Sequence, residues 1–314
     1  MSFESIIGHN SIKNQISKSI NSDKLSHAHL LVGEDGIGKS ILARDIGLKI
    51  LGKNKDMQYV DLVEWRIEKN KSTIGVSSIR TLIEEINKKP YEGDKKVIII
   101  YEADKMTAQA QNALLKTIEE PPKNVTMLLL CENLEVILDT VKSRCQIHKL
   151  KSLTVDEIKE FLKINYPDLS LEEIRVIVAF SDGIPGKAEK FIEDDSFKNI
   201  RNITLEILLV LNKVGTEELI KYEKKLSNQK ENFKEILTAF LSYIRDTIIY
   251  KEIEEENIII NIDKLLNIKE LANIYSFNKL NGIINIINAT RENLDRNVNP
   301  GLTFEVMLLK MQEV

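Results

Sequence analysis

The chain has 314 residues, enough for two or three domains at about 100–200 residues each, and its 43% hydrophobic content can fill real cores. With 29% charged residues it fits a water-soluble protein, and a net charge of −4 excludes an overall attraction to nucleic acid, so any DNA contact must be a local patch. No run of about 18 apolar residues could span a membrane, Met1-Ser2-Phe3-Glu4-Ser5 lacks the features of a secretory leader, and Cys131 and Cys145 are too few for a disulfide framework or a four-cysteine zinc site.

A reducing cytoplasm with two ordinary thiols is therefore expected. Residues 1–26 read as polar and helical. Asn10 or Ser11 is expected to cap a helix carrying Ile12, Ile16 and Ile20. In the turn before it, His9 could touch a nucleotide base or simply face solvent. His27 to Val32 then reads as a strand and Ile41 to Leu51 as a helix.

Between these two elements lies Gly33-Glu34-Asp35-Gly36-Ile37-Gly38-Lys39-Ser40, which has P-loop spacing. Its glycines let backbone N–H groups close around a phosphate. Lys39 suits the outer phosphates and the Ser40 hydroxyl suits an accompanying magnesium. The following helix directs its partial positive charge at the anion. ATP or ADP with magnesium is the cofactor this loop could take.

Gln58 to Val63 reads as a second strand. Ile79, Leu82, Ile83 and Ile86 mark an amphipathic helix, with Ser77 or Ser78 as its cap and Pro90 as its stop. Val97-Ile98-Ile99-Ile100 reads as a strand buried on both faces of a parallel sheet. At its C-terminal end, where α/β sheets bind ligands, stands Tyr101-Glu102-Ala103-Asp104. An active P-loop ATPase carries an Asp for magnesium there, often followed by a Glu that orients water. Here Tyr101 fills the first place, Glu102 fills the second as a residual catalytic group, and Asp104 is displaced. A phenol cannot replace a carboxylate on a hard dication at neutral pH.

Thr107 caps a helix running to about Glu119, Val125 to Cys131 is a strand, and a short helix lies near Ile137 to Lys142. Gln146 to Leu150 reads as an edge strand, completing a five-stranded open α/β sheet. From Lys151 onward only helices are expected. Thr154 with Glu157 resembles a capping box. Helices follow over Leu171 to Phe180 and Lys187 to Glu193. Phe233, Ile236, Leu237, Phe240, Leu241 and Ile244 form one core stripe, and Leu280, Ile283, Ile284 and Ile287 another. The acidic run from Glu252 to Glu256 reads as a solvated loop.

Ala110 to Pro122, reading Ala-Gln-Asn-Ala-Leu-Leu-Lys-Thr-Ile-Glu-Glu-Pro-Pro, and Ser143-Arg144-Cys145-Gln146 resemble the signatures of the bacterial DNA polymerase III clamp-loader subunits. Ala103 to Thr107 and Gly183 to Ala188 add to the resemblance, which covers residues 1–195 with specific motifs. It implies an AAA+ P-loop domain over residues 1–150, a small helical lid over 151–198 and a helical collar for oligomerisation over 199–314. Five such subunits would form an open ring that binds ATP, opens the sliding clamp and closes it round primed DNA. The implied partners are other loader subunits (gamma/tau and delta), the clamp through the assembled complex, and primed DNA, with no membrane.

Carried over by the resemblance, Arg144 would be a finger reaching the nucleotide of a neighbouring subunit, a role that suits a planar, permanently charged fork. Read without the motif, Arg144 would cap a helix end or pair a nearby carboxylate. Arg80 opens the helix that the resemblance would turn toward DNA, and Lys88 with Lys89 closes it, where phosphate contact and a solvated helix face are both open.

Departures from the active pattern are Tyr101, Gly186 where a lid arginine is expected, and Glu132 where a small polar sensor is expected. The four-cysteine zinc module of many relatives is missing between the P-loop helix and the second strand, so no zinc is expected. The chain then reads as a subunit that holds nucleotide but hydrolyses it weakly or not at all, and is not itself a polymerase. The alternative within the family is a hydrolysing, motor-type gamma/tau-like subunit. From other classes come a small-molecule P-loop kinase and a stand-alone binding module.

Overall fold

The computed structural model describes residues 6–53, 57–69, 71–296 and 298–314. Residues 1–5, on which the leader reading rests, lie outside that set. The chain divides into two compact units, residues 1–161 with 183–186 and residues 162–182 with 187–314.

In the first unit the helices α1 (Asn10–Asn21), α2 (Lys39–Ile50), α3 (Val76–Ile86), α4 (Ala108–Glu119) and α5 (Asp139–Lys142) accompany five strands. These are β1 (Ala28–Val32), β2 (Leu62–Trp65), β3 (Lys96–Ile100), β4 (Val125–Cys131) and β5 (Gln146–Lys149). All pair in parallel, in the order β2-β3-β4-β1-β5. The three central strands are buried throughout, and apolar but for His29, Lys96 and Thr126, because helices cover both faces. Leu30, Ile98, Ile100, Met127 and Leu129 face Ile79, Leu82, Leu114 and Ile118 of α3 and α4. Their alternates Leu31, Val97, Ile99, Leu128 and Leu130 face Ile16 of α1 and Leu42, Ala43 and Ile46 of α2. Each such side chain, fully buried, stabilises the fold by roughly 1.5–3 kcal/mol.

Several boundaries differ from the sequence expectations, each for a local reason. The second strand starts at Leu62, not Gln58. Asp61 before it is buried, and its carboxylate accepts the amides of Tyr91 and Glu92 at 2.7 and 2.8 Å. Neither Ser77 nor Ser78 caps α3; Gly75 stands at its N-cap, and Ser78 Oγ instead accepts from Trp65 Nε1 at 3.2 Å. Helix α3 ends at Ile86, before Lys88 and Lys89. Its last turn is held by Lys96, whose fully buried Nζ donates to the Glu85 carbonyl at 2.6 Å and its carboxylate at 2.7 Å. Helix α1 lacks a side-chain cap, its N-cap position being His9 in the left-handed region.

Strands β1 and β5 are also joined by a buried histidine pair. His29 Nε2 faces the Ser26 carbonyl at 2.9 Å and so carries the proton. Its Nδ1 therefore accepts from His148 Nε2 at 3.0 Å. Burial, with the neighbouring imidazole, pushes His29 down to about 4, and burial also lowers His148.

After β5, α6 (Val155–Asn165) opens with the expected capping box: the Glu157 carboxylate accepts from Thr154 N at 2.8 Å, and Thr154 Oγ1 accepts from Glu157 N at 3.3 Å. The second unit is helical. It contains α7 (Leu171–Ser181), α8 (Pro185–Glu193, whose first two residues belong to the first unit), α9 (Asp195–Val210) and α10 (Thr216–Ser227). These are followed by α11 (Phe233–Ile253), α12 (Leu265–Ile274), α13 (Phe277–Asp295) and α14 (Pro300–Glu313). Ile236, Leu237, Phe240 and Ile244 of α11 and Leu280, Ile283 and Ile287 of α13 are buried, as the stripes predict. One polar network sits inside. Fully buried Asp246 accepts from Asn261 N and Nδ2 at 2.7 and 2.8 Å, while Arg201 Nη2 reaches Asn261 Oδ1 at 3.0 Å and Asp263 Oδ1 at 2.7 Å. Each charge there has a partner, as a buried charge requires.

Candidate nucleotide site

The loop Gly33–Ser40 joins β1 to α2, the strand-to-helix setting that the motif needs. Gly36 and Gly38 have φ of 77° and 99°, where a side chain would be strained. A Cβ on Gly38 would meet nothing within 4 Å, so the loop is open there for a phosphate to approach the backbone. Lys39 Nζ donates to the loop's own carbonyls, Gly33 O at 2.7 Å and Glu34 O at 2.8 Å. Ser40 is exposed at the start of α2. Backbone, lysine and hydroxyl thus fit a polyphosphate.

Two further groups touch the loop. Gly186 N donates to Gly36 O at 2.9 Å, and a Cβ on Gly186 would fall 2.6 Å from Gly36 Cα. The place where an arginine was expected is therefore a backbone-on-backbone contact between two glycines. His9 Nε2 lies 3.2 Å from Ile37 O, and burial lowers its pKa. The ring braces the P-loop, so a freely solvated turn does not describe it.

Beside the loop, Tyr101 is 5% exposed and packs on the α2 side of the sheet. Its hydroxyl donates to Glu64 Oε2 at 3.2 Å, and the Arg66 guanidinium lies over its ring at 3.5 Å. Burial, then the Glu64 charge, pushes the phenol up to about 12, so it stays protonated. Glu64 is itself paired with Arg44 and Arg66. No metal-ligating group of three or more His, Cys, Asp or Glu residues occurs among the described residues. The second half of a magnesium site does not fit here as the first half does.

The remaining carboxylates are also engaged. Glu102 is exposed with left-handed backbone and pairs with Lys105. Asp104 Oδ2 accepts from the amides of Glu132 and Asn133, each at 3.3 Å, tying the end of β4 to the loop after β3. Burial raises the Glu132 carboxyl; Lys39 opposes that shift, while Asp35 and Asp104 add to it. Negative charge thus gathers near the lysine that would meet phosphate.

Arg144 follows α5 and its side chain is 38% exposed. Its Nε meets Glu119 Oε1 at 2.6 Å, and its Nη1 donates to Thr140 O at 2.9 Å and Ser143 Oγ at 3.2 Å. Within this chain it thus makes the carboxylate pair and the helix-end contact together. Arg80, Lys88 and Lys89 are exposed, and Lys88 pairs with Glu85 at 2.7 Å.

Sequence reasoning gave Glu64, Gln111 and Glu119 no individual role. Buried Gln111 accepts from Leu138 N at 2.8 Å and donates to Met106 O and Val136 O at 3.2 and 3.1 Å, fixing the approach to α5. Its signal was a polar residue in step with Leu114 and Ile118 on the buried face of α4.

One family model, described as DNA polymerase III, delta subunit, matches residues 8–154, and another, described as the C terminal of the same subunit, matches residues 196–313. The DNA polymerase III subunit gamma of Buchnera aphidicola subsp. Schizaphis graminum is 29% identical, over 76% of this chain and 67% of that protein. The DNA polymerase III subunit delta' of Bacillus subtilis is 25% identical, over 94% of this chain and 93% of that protein. Among solved structures, the Thermotoga maritima RuvB Holliday junction branch migration motor aligns with a TM-score of 0.50 at 18% identity, covering 81% of this chain and 79% of that one; the likeness is one of fold. With a P-loop sheet at one end, a helical region at the other, and a family match on each, the chain belongs to the clamp-loader family of DNA polymerase III.

Proposed function

We propose that this chain is a delta-prime-like clamp-loader subunit that binds nucleotide, turns it over weakly or not at all, and lends Arg144 to a neighbouring subunit's nucleotide. Its partners are gamma/tau and delta subunits in an open ring that places the sliding clamp on primed DNA in the cytoplasm. Residues 1–150 form the nucleotide domain, 151–198 a lid and 199–314 the collar that assembles the ring. Gly33 to Lys39 would hold the phosphates of ATP or ADP, and Ser40 a magnesium ion that screens their charge. Arg80, Lys88 and Lys89 are candidate phosphate contacts on DNA.

The observation that carries this reading is Tyr101. A protonated phenol, bonded to Glu64 and covered by Arg66, cannot coordinate magnesium where a motor subunit uses a carboxylate. The test is steady-state ATP hydrolysis by the purified chain alongside nucleotide binding. Binding with negligible turnover is expected. Brisk turnover by the isolated chain overturns the reading in favour of a motor-type gamma/tau-like subunit, which the intact Gly33–Ser40 loop favours.

A further inference from the structure

The guanidinium of Arg144 is held on one side only. Nε is engaged by Glu119 and Nη1 by Thr140 O and Ser143 Oγ. Thr140 O and Ser143 Oγ take the two Nη1 donors, Glu119 lies against Nε as its ion partner, and the two donors on Nη2 are left. Glu119 is the last residue of α4, a packed helix with Ala110, Leu114 and Ile118 buried, so its carboxylate is attached to a rigid element. An arginine side chain on its own samples many rotamers in water, and pinning its inner nitrogen removes most of that freedom without covering the outer one.

We infer that Glu119 is the positioning residue for Arg144. It grips Nε so that Nη2 is presented outward to the phosphate of an adjoining subunit. The inference rests on the finger role proposed above for Arg144. A carboxylate meant to hold the arginine back would cover the outer nitrogens; Glu119 takes the inner one. With side chains 38% and 43% exposed, the pair adds little to folding stability, so conservation of stability and loss of rate can be told apart.

The experiment measures DNA-stimulated ATP turnover of the assembled loader, as kcat and KM, with Arg144→Ala, Glu119→Ala, Glu119→Gln and the double alanine variant. Thermal unfolding of each chain and assembly by gel filtration are followed in parallel. Glu119→Ala is expected to lower kcat about tenfold, short of the roughly 100-fold that a misplacement of about 1 Å can bring, with KM, assembly and melting unchanged. Glu119→Gln keeps an oxygen acceptor for Nε and is expected to retain most of the rate. The double variant should match Arg144→Ala. If Arg144→Ala slows turnover and Glu119→Ala does not, the positioning role is overturned and the finger stands. If Arg144→Ala is without effect, the finger falls and the inference with it. A Glu119→Ala chain that melts early or fails to assemble, or that hydrolyses faster, also overturns the positioning role.

Discussion

At Gly36 and Gly186 the chemistry of the site turns on the absence of side chains. The amide of Gly186 reaches Gly36 O at 2.9 Å because neither residue carries a Cβ. Gly186→Ala would set a methyl 2.6 Å from Gly36 Cα, a backbone atom that cannot swing aside. A loss of about 1–3 kcal/mol is expected, as for other overpacked positions, and urea unfolding of the variant checks it. The sequence made the P-loop legible residue by residue, since its spacing is set by phosphate chemistry. It also marked Gly186 as a departure, but not what replaced the expected arginine. That depends on two backbones meeting from 150 residues apart, and no local pattern encodes it. Tyr101 was visible as a missing carboxylate. Its partner Glu64 was not, because the second strand as read from the sequence stops at Val63 and leaves Glu64 outside it.

Among elements, β3 and α4 were legible because the β-branched run from Val97 to Ile100 and the helical periodicity of α4 are unbroken and Thr107 provides a cap, its Oγ1 accepting from Ala110 N at 3.2 Å. The start of β2 and the cap of α3 were not, since Asp61 and Ser78 find partners distant in sequence. The link between β1 and β5 was equally hidden, and it predicts a pH dependence. His29 is held down to about 4 in the fold but returns to its ordinary 6.5 or so on unfolding. The unfolded chain therefore takes up a proton first as pH falls. Stability from this pair is complete above about pH 6.5 and drains away between there and about pH 4, by roughly 3 kcal/mol at most. Denaturant unfolding across that window should show the decline, and His29→Gln should flatten it. An unchanged slope in the variant would assign the dependence to carboxylates instead.

For the whole molecule, the two ends of the chain carry different kinds of information. The first unit declares itself through motifs, the second through apolar stripes alone, and its buried network of Arg201, Asp246 and Asn261 joins residues that no periodicity links. In the assembled loader, Lys39→Ala is expected to change DNA-stimulated ATP turnover less than twofold, because this P-loop lacks its metal carboxylate. A collapse of turnover would show that this chain's own site drives the ring. The paired glycines also bear on the chain's history. An arginine arriving first at 186 would strike the backbone of Gly36, and a carboxylate arriving first at 101 would remove the phenol that donates to Glu64, so each change needs a companion elsewhere.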